Sequence, residues 1–232
     1  MRRTTKNSQA GFTIVELMIS ISVLAVVLLV VTIGIIQISK SYYKGVIQAT
    51  TQQTARTALD DIAQSVEFDS VHNATTSGSR SDLALQYGPS TSLLSYCIGQ
   101  NQRYSYVLGY EQSATKNVPG DPGYSRHILW KDQNPGTCTP VKLYEDTPSD
   151  TIGQGHELLG ANMRLTNLEI APVTGSTTLY KISLTIMYGD DDLIDKSSGV
   201  MAKWNCKIQG GVFAAAFCAK SELTTVVGKR LS

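Results

Sequence analysis

The chain has 232 residues, 42% of them hydrophobic and 17% charged, and a formal net charge of +1. Setting aside the apolar N-terminal stretch leaves roughly 160–190 residues, enough for one soluble domain whose core needs neither metal nor dense disulfides. Without the first eleven residues, which hold Arg2, Arg3 and Lys6 but no acid, basic side chains fall from 20 to 17 against 19 acids, which excludes the strongly basic footprint of a nucleic-acid-binding body.

The opening segment, MRRTTKNSQAG, is polar and basic and ends at Gly11. From Leu17 to Ile36 the chain then runs twenty residues without a charge, the length a helix needs to cross a hydrocarbon core of ~30 Å. Basic residues before the span predict a cytoplasmic N-terminus and a C-terminal body outside. A cleaved secretory signal would have a shorter apolar core followed by a small-residue site, and none precedes SKSYYKG. A simple signal anchor also fits these facts. Glu16, the only ionisable residue between Gly11 and Lys40, separates the readings. A carboxylate in a membrane segment is costly and usually has a partner. If cleavage follows Gly11, the new α-amino group sits on Phe12, four residues before Glu16. A neighbouring copy's amine can then neutralise the carboxylate inside an apolar bundle.

GFTIVELMISISVLAVV resembles the prepilin N-terminal motif of type IV pilins and pseudopilins. The resemblance implies that a peptidase cuts after Gly11, that the Phe12 amine is methylated, and that Glu16 aids assembly into a fibre. It covers the leader and about thirty mature residues. Major pilins carry a helix-breaking proline within the apolar run; this chain has Ile33 and Gly34 instead, so a melted or kinked segment is expected at Gly34.

Beyond Lys40, Val46, Ala49, Ala55, Ala58, Leu59, Ile62, Ala63 and Val66 recur at three- and four-residue steps, an amphipathic stripe that extends the helix. A helix from Phe12 to Glu67 would be roughly 84 Å long, ended by the polar run HNATTSGSRSD. Strand signals begin at Leu83. RYSYVLGY places Tyr104, Tyr106, Leu108 and Tyr110 on one face, and YKISLTIMYG alternates Tyr180, Ile182, Leu184, Ile186 and Tyr188 against Lys181, Ser183 and Thr185. That is the pattern of an antiparallel strand with one buried face. RHILWK, VKLYE, MRLTNLEI and ELTTVVGKR are weaker strands, separated by Pro-, Gly- and Asp-rich loops such as NVPGDPGY, DQNPGTCTP and TPSDTIGQG. The order is α+β: a long N-terminal helix packed on an antiparallel sheet. The expected division is a leader over 1–11, a membrane or fibre-core half-helix over 12–39, an amphipathic half over 40–70 and a β-rich domain over 71–232.

Four cysteines in a body that the span places outside the cell suggest two disulfides. Cys206 with Cys218 would close a short loop and Cys97 with Cys138 a longer one, worth about 3 and about 4 kcal/mol in a chain-entropy picture. No CxxC pair argues for zinc. The layout of TARTALDDIAQSV, LTNLEI, YKISLTIMY and the last strand resembles the larger minor pilins and J-type pseudopilins, and the Cys206–Cys218 loop resembles the disulfide-bounded region of many pilins.

No catalytic constellation stands out. Gly155-His156-Glu157 lacks the second histidine of a zinc-protease helix and lies in a glycine-rich loop. His72 and His127 read as surface or sheet-edge residues. Asp190, Asp191, Asp192 and Asp195 crowd a turn whose spacing permits calcium, the one candidate ion; a solvated acidic turn is the default, and no other cofactor is expected. The tyrosines could present a surface to a sugar, a protein or single-stranded DNA, but without a basic groove nucleic acid is not indicated. The expected role is a minor pilin, not an enzyme, at or near a pilus tip, with a pseudopilin of type II secretion or DNA uptake as the alternative. A tethered binding domain that never polymerises ranks below both. The expected partners are other pilins, the prepilin peptidase, the assembly machinery and the membrane. The expected path runs from a single-pass precursor in the cytoplasmic membrane to an extracellular fibre.

Overall fold

A computed structural model describes residues 11–76, 91–99, 101–112, 126–133, 137–144, 154–207 and 217–230. The chain forms two compact units, Met1–Tyr42 and Tyr43–Ser232. One α-helix, α1 (Ile14–Phe68), supplies the described secondary structure of the first unit and opens the second.

In the first unit α1 is apolar on every side. Ile14, Leu17, Leu24, Leu28 and Ile35 are each more than half exposed, as in a helix whose solvent is lipid or other apolar helices. It is long and apolar enough to cross a membrane. Its hydroxyls need no water: Ser20, Ser22 and Thr32 donate to the carbonyls of Glu16, Ile19 and Leu28 at 2.7–2.8 Å. The helix continues unbroken through Gly34, which corrects the expected melted segment there. Glycine costs a helix about 1 kcal/mol but keeps the N–H that proline lacks, so the hydrogen-bond ladder survives.

In the second unit α1 becomes one-sided. Ala55, Ala58, Leu59, Ile62 and Val66 are buried, whereas Val46 and Ala49, expected in the same stripe, are exposed. The buried stripe faces two sheets. The first is antiparallel in chain order: β1 (Val71–Thr76), β2 (Leu93–Ile98), β3 (Gln102–Tyr106), β4 (Leu129–Asp132) and β5 (Gly155–Glu157). β6 (Met163–Pro172) and β7 (Leu179–Tyr188) then form an antiparallel pair. A small pair, β8 (Ile194–Asp195) with β9 (Asn205–Cys206), follows, and β10 (Ala219–Gly228) returns to the free side of β7. The chain after β3 links the sheets, since the Gly109 and Gln112 amides donate to Leu165 and Met163 of β6 at 2.8 Å. Helix and sheets therefore share one core, in which Ile62 meets the cluster of Tyr104, Leu129, Leu165 and Leu184.

A polar clasp crosses the same contact. Tyr104 donates to Asp61 Oδ2 at 2.9 Å and lies 2.7 Å from Ser65 Oγ. Lys131 Nζ reaches both Asp61 oxygens, at 2.7 and 2.9 Å. Burial pushes the Tyr104 hydroxyl far up, against its Ser65 hydrogen bond and reinforced by the Asp61 charge, so it stays a donor.

Several local expectations change. The polar run after α1 begins as strand β1, which pairs with β2, a strand the pattern reading had not singled out. Residues 77–90, with the expected onset at Leu83, lie outside the described residues, as does the NVPGDPGY loop. In VKLYE, whose Glu145 lies outside the described residues, the strand pairing of the described residues is an isolated bridge, Tyr144 with Arg126. Gly155–Glu157 is not loop but β5, paired with β4. RYSYVLGY stops being strand at Tyr106. β7 is buried on both faces near its end, Thr185 and Met187 included, because Ile194, Trp204 and Cys218 cover its outer side. Both disulfides pair as expected, Cys97–Cys138 and Cys206–Cys218.

Ile62→Ala should lower unfolding stability by about 2–5 kcal/mol, because a fully buried side chain leaves a cavity at the helix–sheet contact, while exposed Val46→Ala should stay within about 0.5 kcal/mol. Urea midpoints of the detergent-solubilised chain check this; equal effects would mean that the helix stripe does not hold the body.

Candidate functional site

Gly11, Phe12 and Glu16 lie within six residues at the start of α1. Gly11, Phe12 and Thr13 precede the helix, and Phe12 is 78% exposed. The Glu16 amide donates to Thr13 Oγ1 at 3.2 Å, and the Leu17 amide to the Thr13 carbonyl at 3.2 Å. Thr13 is therefore the helix N-cap and Glu16 the third residue of the first turn, the two positions of a capping box. An acid here also faces the positive end of the helix dipole. Pattern reading singled out Gly11, Phe12 and Glu16 but passed over Thr13, although T-x-x-E before an apolar run is a recognisable start signal. Gly11 and Phe12 are exposed and outside the helix. Cutting there would leave a secondary-structure-free Phe12 amine immediately before the cap, with the Glu16 carboxylate presented sideways from an apolar helix.

In the acidic turn a buried arginine holds one of the carboxylates. Arg164 on β6 is fully buried. Its guanidinium bonds to Asp191, reaches Glu111 Oε2 at 3.2 Å and donates to the Gly189 carbonyl at 2.7 Å. Lys196 adds a 2.7 Å bond to Asp191. Asp195 accepts from the Ser197 amide at 2.9 Å, while Asp190 and Asp192 point to solvent. The four aspartates are not brought together: among the described residues no three His, Cys, Asp or Glu side chains converge as a cation site. The buried arginine takes the central carboxylate instead, and no local pattern in the sequence marked Arg164 as its partner.

The two carboxylates on Arg164 are tuned in opposite directions. Burial raises Glu111, against the pull of Arg164 and helped by Asp190. Burial also pushes Asp191 up, but hydrogen bonds from Lys196 and Arg164 outweigh it and hold the group below its ordinary value. The Ser197 amide and hydroxyl likewise hold exposed Asp195 down.

The histidines hold structural places. His72 is exposed on β1 and His156 on β5. His127 is not a surface residue: it is half-buried, stacks edge-on to Trp130 at 4.5 Å and lies 3.4 Å from Glu157. Glu157 itself accepts three backbone bonds, from Ile128, Leu129 and Leu159, at 2.8–3.0 Å. The Gly-His-Glu stretch thus ties strand ends together.

Residues 6–32 match the family model of the prokaryotic N-terminal methylation motif. No curated protein and no solved structure matches the chain significantly.

The opposite tuning gives opposite pH responses. Asp191, whose folded value is lowered, contributes stability that is present above its ordinary value of 3.8 and lost as pH falls through the folded value. Asp191→Asn should therefore destabilise at neutral pH and converge on the parent in acid. Glu111, whose folded value is raised, imposes a cost that develops as pH rises from its ordinary 4.5 through the folded value. Glu111→Gln should match the parent in acid and exceed it near neutrality. Unfolding midpoints from about pH 3 to about pH 7 check both signs; parallel curves would refute the assignment.

Proposed function

We propose a fibre-assembly role for this chain, which carries at residues 6–32 the prepilin signal of type IV pilins and pseudopilins: it is a minor pilin, a structural and non-enzymatic subunit. The observation that carries the reading is the N-terminal arrangement, an exposed Gly11–Phe12 junction directly before a capped apolar helix with Glu16 in its first turn.

The precursor waits in the cytoplasmic membrane, N-terminus inside and body outside, held by the uncharged run of α1. The prepilin peptidase cuts after Gly11 and the Phe12 amine is methylated. The subunit then leaves the bilayer and packs α1 among the helices of other pilins. Apolar contact along residues 12–38 supplies most of the affinity, since those side chains have no cover within the chain. The Glu16 carboxylate meets the Phe12 amine of a neighbour and sets the axial register; removing one partner of a buried pair of this kind costs about 3–5 kcal/mol. Thr13 holds the geometry by capping the helix between the two charges. About 220 mature residues are many for a bulk subunit, which favours a low-copy place at or near the tip, where the body primes assembly or presents a binding surface.

Mass spectrometry of fibres sheared from native cells should find a peptide that begins at N-methylated Phe12. Glu16→Ala should still insert in the membrane yet be lost from fibres, and Gly11→Trp should remain uncut because a bulky side chain does not fit a site shaped for glycine. Normal incorporation of the Glu16 variant would sink the charge-pair mechanism. A methylated peptide confined to membranes would point to a short pseudopilus, and an intact leader everywhere would overturn the pilin reading.

A further inference from the structure

Two cavities, of about 500 and about 790 Å³, lie against the ends of β3, β4 and β5 and share Gln102 and Lys131 as lining. Each falls within the ~300–1,000 Å³ range of ligand sites. Crossing three strands alone takes about 10 Å, so together they form a groove for an extended ligand.

Its lining has an unusual chemistry. Five side-chain amides face it: Gln64, Asn101, Gln102, Gln133 and Gln154. Gln102 accepts from Ser65, but the other four make no side-chain hydrogen bond among the described residues. The two lining cations are paired and one lining carboxylate is not: among the described residues, Asp69 accepts only from the Ser70 amide at 2.7 Å and the Ser70 hydroxyl at 3.3 Å. Arg103 is bound by Asp132 through Nε at 2.9 Å and donates to the Thr139 carbonyl at 2.7 Å, and Lys131 is held by Asp61. Phe68, 61% exposed, stands at the rim. Gly155 lets β5 pass close against Trp130 behind this surface, since a Cβ there would come within 2.3 Å of Trp130 Nε1 and 2.6 Å of the Lys131 carbonyl.

We propose that this groove binds a neutral oligosaccharide. Each amide offers a donor and an acceptor in one plane, suited to vicinal hydroxyls, and the exposed Phe68 ring offers an apolar face to the C–H side of a sugar. A polyanion is repelled by the Asp69 carboxylate, a charged polymer gains little from the paired Arg103 and Lys131, and an apolar ligand meets too little hydrocarbon, whereas a carboxylate accepts readily from sugar hydroxyls. A peptide would need a long open strand edge or an apolar anchor pocket, whereas the edge strand here, β5, has three residues. The inference rests on the minor-pilin reading for its setting, because it gives the displayed body its ligand class, but the lining residues named above all lie in the second unit and are tested without any fibre.

The test is isothermal titration calorimetry on the full-length chain in detergent with maltohexaose, cellohexaose and N-acetylchitohexaose. At least one should bind. Gln133→Ala with Gln154→Ala should weaken that binding by about tenfold, as expected for two lost hydrogen bonds. Phe68→Ala should weaken it as well, whereas the off-groove Gln52→Ala should not. Thermal melts confirm that each variant is folded. No binding of any probe by the folded chain, binding unchanged in the groove variants, or capture of an extended polar peptide in preference to all three glycans would each overturn the proposal. None of these outcomes alters whether the Phe12 peptide reaches the fibre, so the two readings fail separately.

Discussion

The contact between the Ala55–Val66 stripe of α1 and the two sheets is the interaction on which the body depends. Small residues, Ala55 and Ala58, let the helix approach closely, and Leu59, Ile62 and Val66 fill the space between it and the strands. Neither sheet has another described helix to cover its inner face. A solvent-exposed inner sheet face would leave Tyr104, Leu129, Leu165 and Leu184 in water, so helix and sheets are stable only together. The clasp of Asp61, Ser65, Tyr104 and Lys131 then fixes where along the helix the sheet sits, because hydrogen bonds are directional and apolar contact is not.

The same helix changes character along its length. Up to residue 38 it is apolar all round; from Thr51 on it is apolar on one side. A chain with only the second half would be an ordinary soluble domain, and one with only the first an anchor. Their continuity lets the N-terminal half serve both as a membrane segment and, in the proposed fibre, as the part that packs among neighbours. Glu16 suits the first turn of the helix but not lipid, which is why it is the residue most informative about function.

Charge elsewhere is used locally. Arg164 is buried with two carboxylates and backbone carbonyls around it, and it pins the segment that carries β8 and β9 over the outer face of β7. Arg103 with Asp132 and Lys131 with Asp61 do the same at the strand ends. With Arg103 and Lys131 spent on Asp132 and Asp61, the polar surface left for a ligand is mostly amides, with the Asp69 carboxylate at one end.

Much was legible in the chain itself. An uncharged run of membrane length, the glycine before Phe12, the lone Glu16 and the apolar periodicity from Ala55 are local patterns, and they were enough for the helix, the N-terminal methylation motif and the α+β order. The cysteine pairing joins neighbours in sequence, Cys97 with Cys138 and Cys206 with Cys218, the arrangement that closes the shortest loops. What tertiary structure decided is whatever depends on residues far apart in sequence. Val46 and Ala49 keep the right period yet have nothing to pack on; the Gly-His-Glu stretch is strand because β4 lies beside it; Thr185 and Met187 are buried because a later segment covers them. Asp191 could read as an ion ligand until Arg164, 27 residues earlier, was seen to hold it. Periodicity reports which side of an element is apolar, but only the assembled fold determines which partner, if any, meets that side.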